Sequence, residues 1–354
     1  MTKEFSAVPI TSGFDTGPLS WVIVEIRESL NKSKTALFDA VGQDEAGQSK
    51  LLQHAKSYLH QAHGAFQIVD VDGVAMISET VEDLLDRLKG GQLQLTQEYA
   101  QAIGNAYQAL IEYLDELLAG AQPQPVRLFP YYRSLLEVRG AERIHPADLF
   151  FPNLAIRPQL PATARSGEVL DYTQLRQRFE RALLPFLKTA EGTKATPLLE
   201  IIATVENVQS NPQVHAFWWV MHGFAEVVVQ GQVVSELYVK QLFGRINLQI
   251  RRLAEGSFSI SERLLRDALF FIARAKEPSP RARQIRAVYQ LDGLVPPDYE
   301  KRRYGQVDPE ALVVAKERLA KAKNTWSRIA DDDVTNLWQR LKRNWTCWWR
   351  RVAN

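Results

Sequence analysis

Apolar residues recur along much of this chain at intervals of three and four, the period of an α-helix with one buried face. The clearest run is Leu51, Leu52, Ala55, Tyr58, Leu59, Ala62, Phe66 and Val69, which falls within an arc of about 100° at 3.6 residues per turn. A helix opening at Pro18 and Ser20 precedes it, with Val22, Ile26, Leu30 and Leu37 on one stripe. The segment from Gly42 to Gln48 separates the two. After Gly73 the pattern resumes through Ile77, Val81, Leu84, Leu85 and Leu88, and Gly90-Gly91 ends it. Tyr99 to Leu118 adds a fourth helix through Ile103, Tyr107, Leu110, Ile111, Leu114 and Leu117. Four helices with short connections pack most simply as an antiparallel bundle.

Between Gln122 and Gly167 seven prolines, Pro123, Pro125, Pro130, Pro146, Pro152, Pro158 and Pro161, forbid a continuous long helix. This stretch reads as a linker holding one short helix at Tyr131 to Val138, with Phe150 and Phe151 placed to pin it against a bundle. Helical patterning returns at Leu175 to Leu187, Pro197 to Val208, Gln213 to Val229, Val234 to Ala254 and Ser261 to Ala275. A second proline-rich stretch, 277–308, precedes a helix starting at Pro309. The expected fold is therefore all-α. It comprises a lead-in (1–17), a bundle (18–120), a proline-rich linker (121–168), a second bundle (169–276), a linker (277–308) and a C-terminal helical region (309–354).

Composition narrows the function. The 354 residues are 45% hydrophobic and 24% charged, which suits a globular chain with ample core. A net charge of +2 argues against a dedicated nucleic-acid binder. The single cysteine, Cys347, rules out an internal disulfide and fits a reducing compartment. Met1 to Thr16 has no apolar secretion core, and no apolar run approaches membrane-spanning length. The expectation is a soluble cytoplasmic protein.

The candidate chemistry centres on His60, which lies about 140° from the centre of the apolar arc and so faces water. Gly64, one turn on, adds no side chain beside the imidazole, and His63 lies nearer the edge of the arc. Tyr58-Leu59-His60-Gln61-Ala62-His63-Gly64-Ala65 resembles the His-x-x-Lys-Gly-Ser/Ala helix of histidine phosphotransfer (Hpt) domains. Pro146-Ala-Asp-Leu-Phe-Phe-Pro-Asn-Leu154 with Arg157-Pro158, and Phe217-Trp-Trp-Val-Met-His-Gly-Phe224, extend the likeness over residues 18 to 330. Over that length the chain is similar to the N-terminal region of ChpA/PilL-type hybrid histidine kinases and to the related FimL family, which act in type IV pilus chemosensory signalling and twitching motility. The His63-Gly64 and His222-Gly223 pairs also align as an internal echo, with Trp219 in the place of His60.

The resemblance implies a signalling and docking module of a two-component pathway, located in the cytoplasm, at the cell pole or peripheral to the inner membrane. Its partners would be response-regulator receiver domains and polar scaffold proteins, and no cofactor is expected beyond Mg²⁺ brought by a receiver. Lysine is replaced at position 63 by histidine, a weaker and pH-dependent cation. Two readings stay open: a degenerate Hpt-like docking bundle, and an active relay with His60 as phosphoryl acceptor. A metal site on His60 and His63 lacks two further ligands. Trp218, Trp219, His222, Phe150 and Phe151 are candidate partner contacts, with a hydrogen bond to a neighbouring helix as the structural alternative for His222. No ATP-binding motif or hydrolytic triad occurs.

The last segment adds another reading. Val334, Leu337, Trp338, Leu341, Trp345, Trp348, Trp349 and Val352 share an arc of about 120°. Five basic and no acidic side chains accompany them from residue 335 onward. Such a helix either belongs to a third bundle of a longer chain or meets an anionic membrane or acidic partner through Trp345, Trp348 and Trp349.

Overall fold

Asp15 accepts a hydrogen bond from the Gly17 N–H and starts α1 (Thr16–Asp39) two residues before the expected proline. Asp44 likewise caps α2 (Glu45–Val69), and Thr96 caps α4 (Gln97–Leu118). Between them α3 (Val74–Lys89) begins at Gly73, whose φ of 80° is the left-handed conformation that glycine adopts freely. Helix α1 packs against α2 and α4, and α2 also packs against α3. Their apolar stripes meet in one core of Leu19, Ile26, Leu30, Leu52, Leu59, Ile77, Val81, Ile103 and Leu110. A polar contact fixes the register inside it: buried Ser33 donates to the Ala55 carbonyl at 2.7 Å and lies 2.9 Å from the Tyr107 hydroxyl.

The computed structural model describes residues 14–161, 163, 165–189, 191–233, 237–305 and 309–327. Among these the protein is all-α, with no strand. The chain forms two compact units, 1–302 and 303–354. Within the second, the described helix is α12 (Pro309–Ser327). The expected Trp/Arg helix with Trp345, Trp348 and Trp349 lies outside the described residues.

The proline-rich linker is a built part of the first unit. A 3-10 turn (Pro125–Leu128), α5 (Phe129–Arg139) and a second 3-10 turn (Pro146–Leu149) occupy it, each with proline near its start, where the missing N–H costs nothing. Helix α5 packs on α3 and α4. Beyond the linker come α6 (Tyr172–Leu187), α7 (Thr196–Asn207), α8 (Pro212–Val229), α9 (Leu237–Ala254), α10 (Glu262–Arg274) and α11 (Pro280–Tyr289). The last of these corrects the expected linker at 277–308. Pro280 opens a helix capped by Ser279, and α11 packs on α8.

Two sets of contacts clamp the linker to the second bundle. Phe150 is fully buried against Phe270 with ring centroids 5.7 Å apart. Asp267 on α10, 1% exposed, takes Arg143 of the linker at 3.0 Å and Arg245 of α9 at 2.8 Å. Asp148 of the linker takes Arg143 at 2.8 Å and Arg266 of α10 at 3.2 Å. From the other side, the segment after α11 returns to the linker. Gln124 donates to the Gly293 carbonyl at 2.6 Å, Tyr299 lies against Phe129, and Arg302 donates to Ser134. His145 sits at the centre of this seam, edge-on to Tyr238, its Nδ1 accepting the Ala147 N–H at 3.0 Å. Burial, and then the charges of Arg143, Arg245 and Arg266, push its pKa down from 6.5 to about 3.

Two outcomes follow from the clamp. Phe150→Ala removes a buried ring and lowers stability by about 3–5 kcal/mol, whereas Phe151→Ala at its half-exposed neighbour costs about 1 kcal/mol or less; urea denaturation compares them. The folded chain keeps His145 neutral while the unfolded chain binds a proton below pH 6.5, so stability falls as pH drops from 6.5 toward 3. His145 alone contributes a slope of up to about 1.4 kcal/mol per pH unit. His145→Asn keeps an acceptor for Ala147 and flattens that slope between pH 6 and 5.

Candidate functional site

His60 occupies the middle of α2 with its side chain 74% exposed. Two rows of side chains meet beside it, because residues four apart lie on one helix face. Lys56 and His60 form the row on α2, and Glu82 and Asp86 form the facing row on α3. Glu82 Oε1 lies 3.7 Å from His60 Nδ1 and 3.6 Å from Lys56 Nζ. Lys56 donates to both oxygens of Asp86 at 2.7 Å. That hydrogen bond raises the Lys56 pKa, against a partial desolvation, and the charges of Asp86 and Glu82 add to it. Glu82 faces Nδ1, so Nε2 is the ring nitrogen turned away from that carboxylate.

His63 is used differently. Its Nδ1 lies 3.2 Å from the hydroxyl of buried Ser78 on α3, and its Nε2 lies 3.3 Å from the Gln67 amide. Both nitrogens are engaged, so the ring joins α2 to α3. Gly64 stands in open space: a Cβ built there meets nothing within 4 Å. Packing therefore gives no reason for glycine at this position. His60, His63 and Gly64 thus lie together on one face, whereas the flanking Lys56, Glu82 and Asp86 did not emerge from the sequence. Helical spacing relates Lys56 to His60, but Glu82 enters from another helix, and no periodicity announces that. Among the described residues no cluster of three or more His, Cys, Asp or Glu is arranged to hold a metal.

The aromatic candidates are placed otherwise than expected. Trp218 is 0% exposed and Trp219 5%, and Phe150 is buried, which corrects their assignment to partner contacts. Adjacent residues do diverge by about 100°, but α8 is covered by α7, α10, α11 and the 3-10 turn Gly192–Ala195, so both indoles find a core. Phe151 keeps a partly exposed edge over Gly73. His222 Nδ1 is hydrogen-bonded to Glu206 of α7, and its Nε2 lies 3.4 Å from Glu226. Arg281 of α11 reaches the same two carboxylates at 2.7 and 3.1 Å, and Ser279 donates to Glu226 at 2.5 Å. Burial alone would raise the Glu206 carboxyl; His222 and Arg281 more than offset this and hold it below its ordinary value. This network is an internal lock between helices. The Arg157-Pro158 and Phe217 ends of the second and third motifs meet at a cleft of about 330 Å³ beside the start of α8.

Residues 19–120, which hold α1 to α4, match the Hpt domain, and residues 168–302 match the FimL scaffold protein second domain. The order of the two matches resembles an Hpt domain followed by the second domain of a FimL scaffold protein. It is 25% identical over 289 residues to the scaffold protein FimL of Pseudomonas aeruginosa, covering 78% of this chain and 50% of that protein. The chain thus spans about half the length of this curated relative. No solved structure matches it. The Hpt match contains His60, His63 and Gly64. The FimL second-domain match runs past α11 to the segment that returns to the linker.

Because Gly64 lies inside a helix with open space around it, Gly64→Ala is expected to raise stability by roughly 0.5–1 kcal/mol. Gly104→Ala should lower it, since its Cβ would come within 2.9 Å of the Phe38 ring. Urea midpoints of the two variants test whether glycine at 64 serves the surface.

Proposed function

We propose that this chain is a signalling scaffold whose Hpt domain docks a response-regulator receiver domain on the face of α2 around His60. The observation that carries this reading is the open surface there: an exposed imidazole, a carboxylate behind it, and a glycine one turn on that leaves it uncovered. The curated relative is named a scaffold protein, and this role is carried over to the half of its length that this chain spans. The 25 residues of α2 extend about 37 Å at 1.5 Å per residue. With the outer side of α3 beside it, that length suits the 1,000 Å² or so that a specific contact requires. The pathway, by the likeness of the three motifs, is type IV pilus chemosensory signalling. No helix among the described residues is long and apolar enough to cross a membrane. A polar or membrane-peripheral location would rest on other segments or on a bound partner.

A second reading is favoured by one specific contact. Glu82 beside Nδ1 suits the tautomer that carries its proton there and presents Nε2 to the phosphorus of a receiver's aspartyl phosphate. The Nε2 lone pair forms the N–P bond, the acyl P–O bond breaks, and the aspartate leaves as its carboxylate. Nδ1 keeps its proton throughout. The receiver supplies the Mg²⁺ and the acidic groups that this transfer needs.

Titration calorimetry of the full chain with a receiver domain tests the docking. Gly64→Arg is expected to weaken binding at least about tenfold, or about 1.4 kcal/mol, with the melting temperature held. His60→Gln retains binding. Affinity unchanged by Gly64→Arg would place the receiver elsewhere.

A further inference from the structure

We infer that Lys56, one turn before His60, is the cation that meets a phosphoryl group on His60. The assignment rests on the acceptor reading of His60. Two side chains flank His60 along its row on α2. One is His63, whose nitrogens are held by Ser78 and Gln67 and which is turned toward α3. The other is Lys56, whose ammonium shares a single carboxylate oxygen, Glu82 Oε1, with His60 Nδ1 at 3.6 and 3.7 Å.

Side chains on a helix lean toward its N-terminus, so the His60 ring is carried over the turn that holds Lys56 and away from the turn that holds His63. Lys56 is 28% exposed and anchored by Asp86, itself half exposed. It is thus held near the imidazole while its outer side stays open to water. When Nε2 gains a phosphoryl dianion, the imidazolium proton on Nδ1 strengthens the claim of His60 on Glu82. Lys56 then exchanges the long contact with Glu82 for a phosphoryl oxygen and keeps Asp86.

Potassium phosphoramidate tests this without a receiver. The Nε2 lone pair attacks phosphorus, the P–N bond of the reagent breaks and ammonia leaves, so the rate reads only what this chain contributes. The full chain, Lys56→Met, Lys56→Arg and His60→Gln are treated side by side, and phosphohistidine is followed by ³¹P NMR and located by mass spectrometry. Lys56→Met is expected to slow formation of phospho-His60 roughly tenfold, with an unchanged melting curve. Lys56→Arg should recover most of the rate, and the difference should shrink at high salt. Equal rates in the wild type and Lys56→Met overturn the assignment while leaving His60 an acceptor. A loss that Lys56→Arg fails to recover also overturns it, because the effect would then come from packing and not from charge. No phosphohistidine at position 60 in the wild type overturns the acceptor reading and this assignment together.

Discussion

The buried carboxylate of Asp267 is the constraint on which the first unit turns. It is 1% exposed and takes two arginines, one from the linker and one from α9. Burial raises its pKa, and Arg143, Arg245 and Arg266 pull the other way. Breaking an ion pair this buried costs up to about 3–5 kcal/mol. The linker is therefore tied to α10 directly and to α9 through this shared carboxylate. Phe150 and His145 pack into the same seam, and the segment after α11 returns to the linker from outside. The Hpt bundle, joined to that linker through α5, presents α2 from a fixed base.

The functional surface follows from that arrangement by subtraction. Polar chemistry in the second bundle is spent internally: His222, Glu206, Glu226 and Arg281 satisfy one another between α7, α8 and α11. The two indoles are consumed by packing. On α2 the apolar arc faces the core, His63 reaches α3, and His60 stays outside with Lys56 and Glu82 beside it. On the proposed reading, a helix so placed offers a docking shape with an exposed imidazole, and any transfer chemistry would come from the partner.

Much of this was legible in the sequence, for identifiable reasons. The helices α2, α3 and α4 each bury one face, so their periodicity reads directly, and the exposure of His60 follows from its angle to the arc. Helix α11 was hidden because Pro278 and Pro280 look like breakers, while Pro280 stands at a helix start where proline is favoured. The burial of both Trp218 and Trp219 was hidden because a helix enclosed on all sides has no stripe to read. The linker looked loose for its seven prolines, yet its order comes from Arg143, Asp148 and Phe150 meeting α10, more than a hundred residues further along the chain, and from His145 meeting α9. Glu82 escaped notice for the same reason: partners across helices leave no local signature.

Hydrogen exchange of the full chain, with and without a saturating receiver domain, tests the central claim most directly. Slowed exchange is expected in the amides of α2 around His60 and on the outer side of α3 beside it, with α8 and the linker unchanged. Protection of the second domain or the linker, with α2 exchanging as in the free chain, would contradict it.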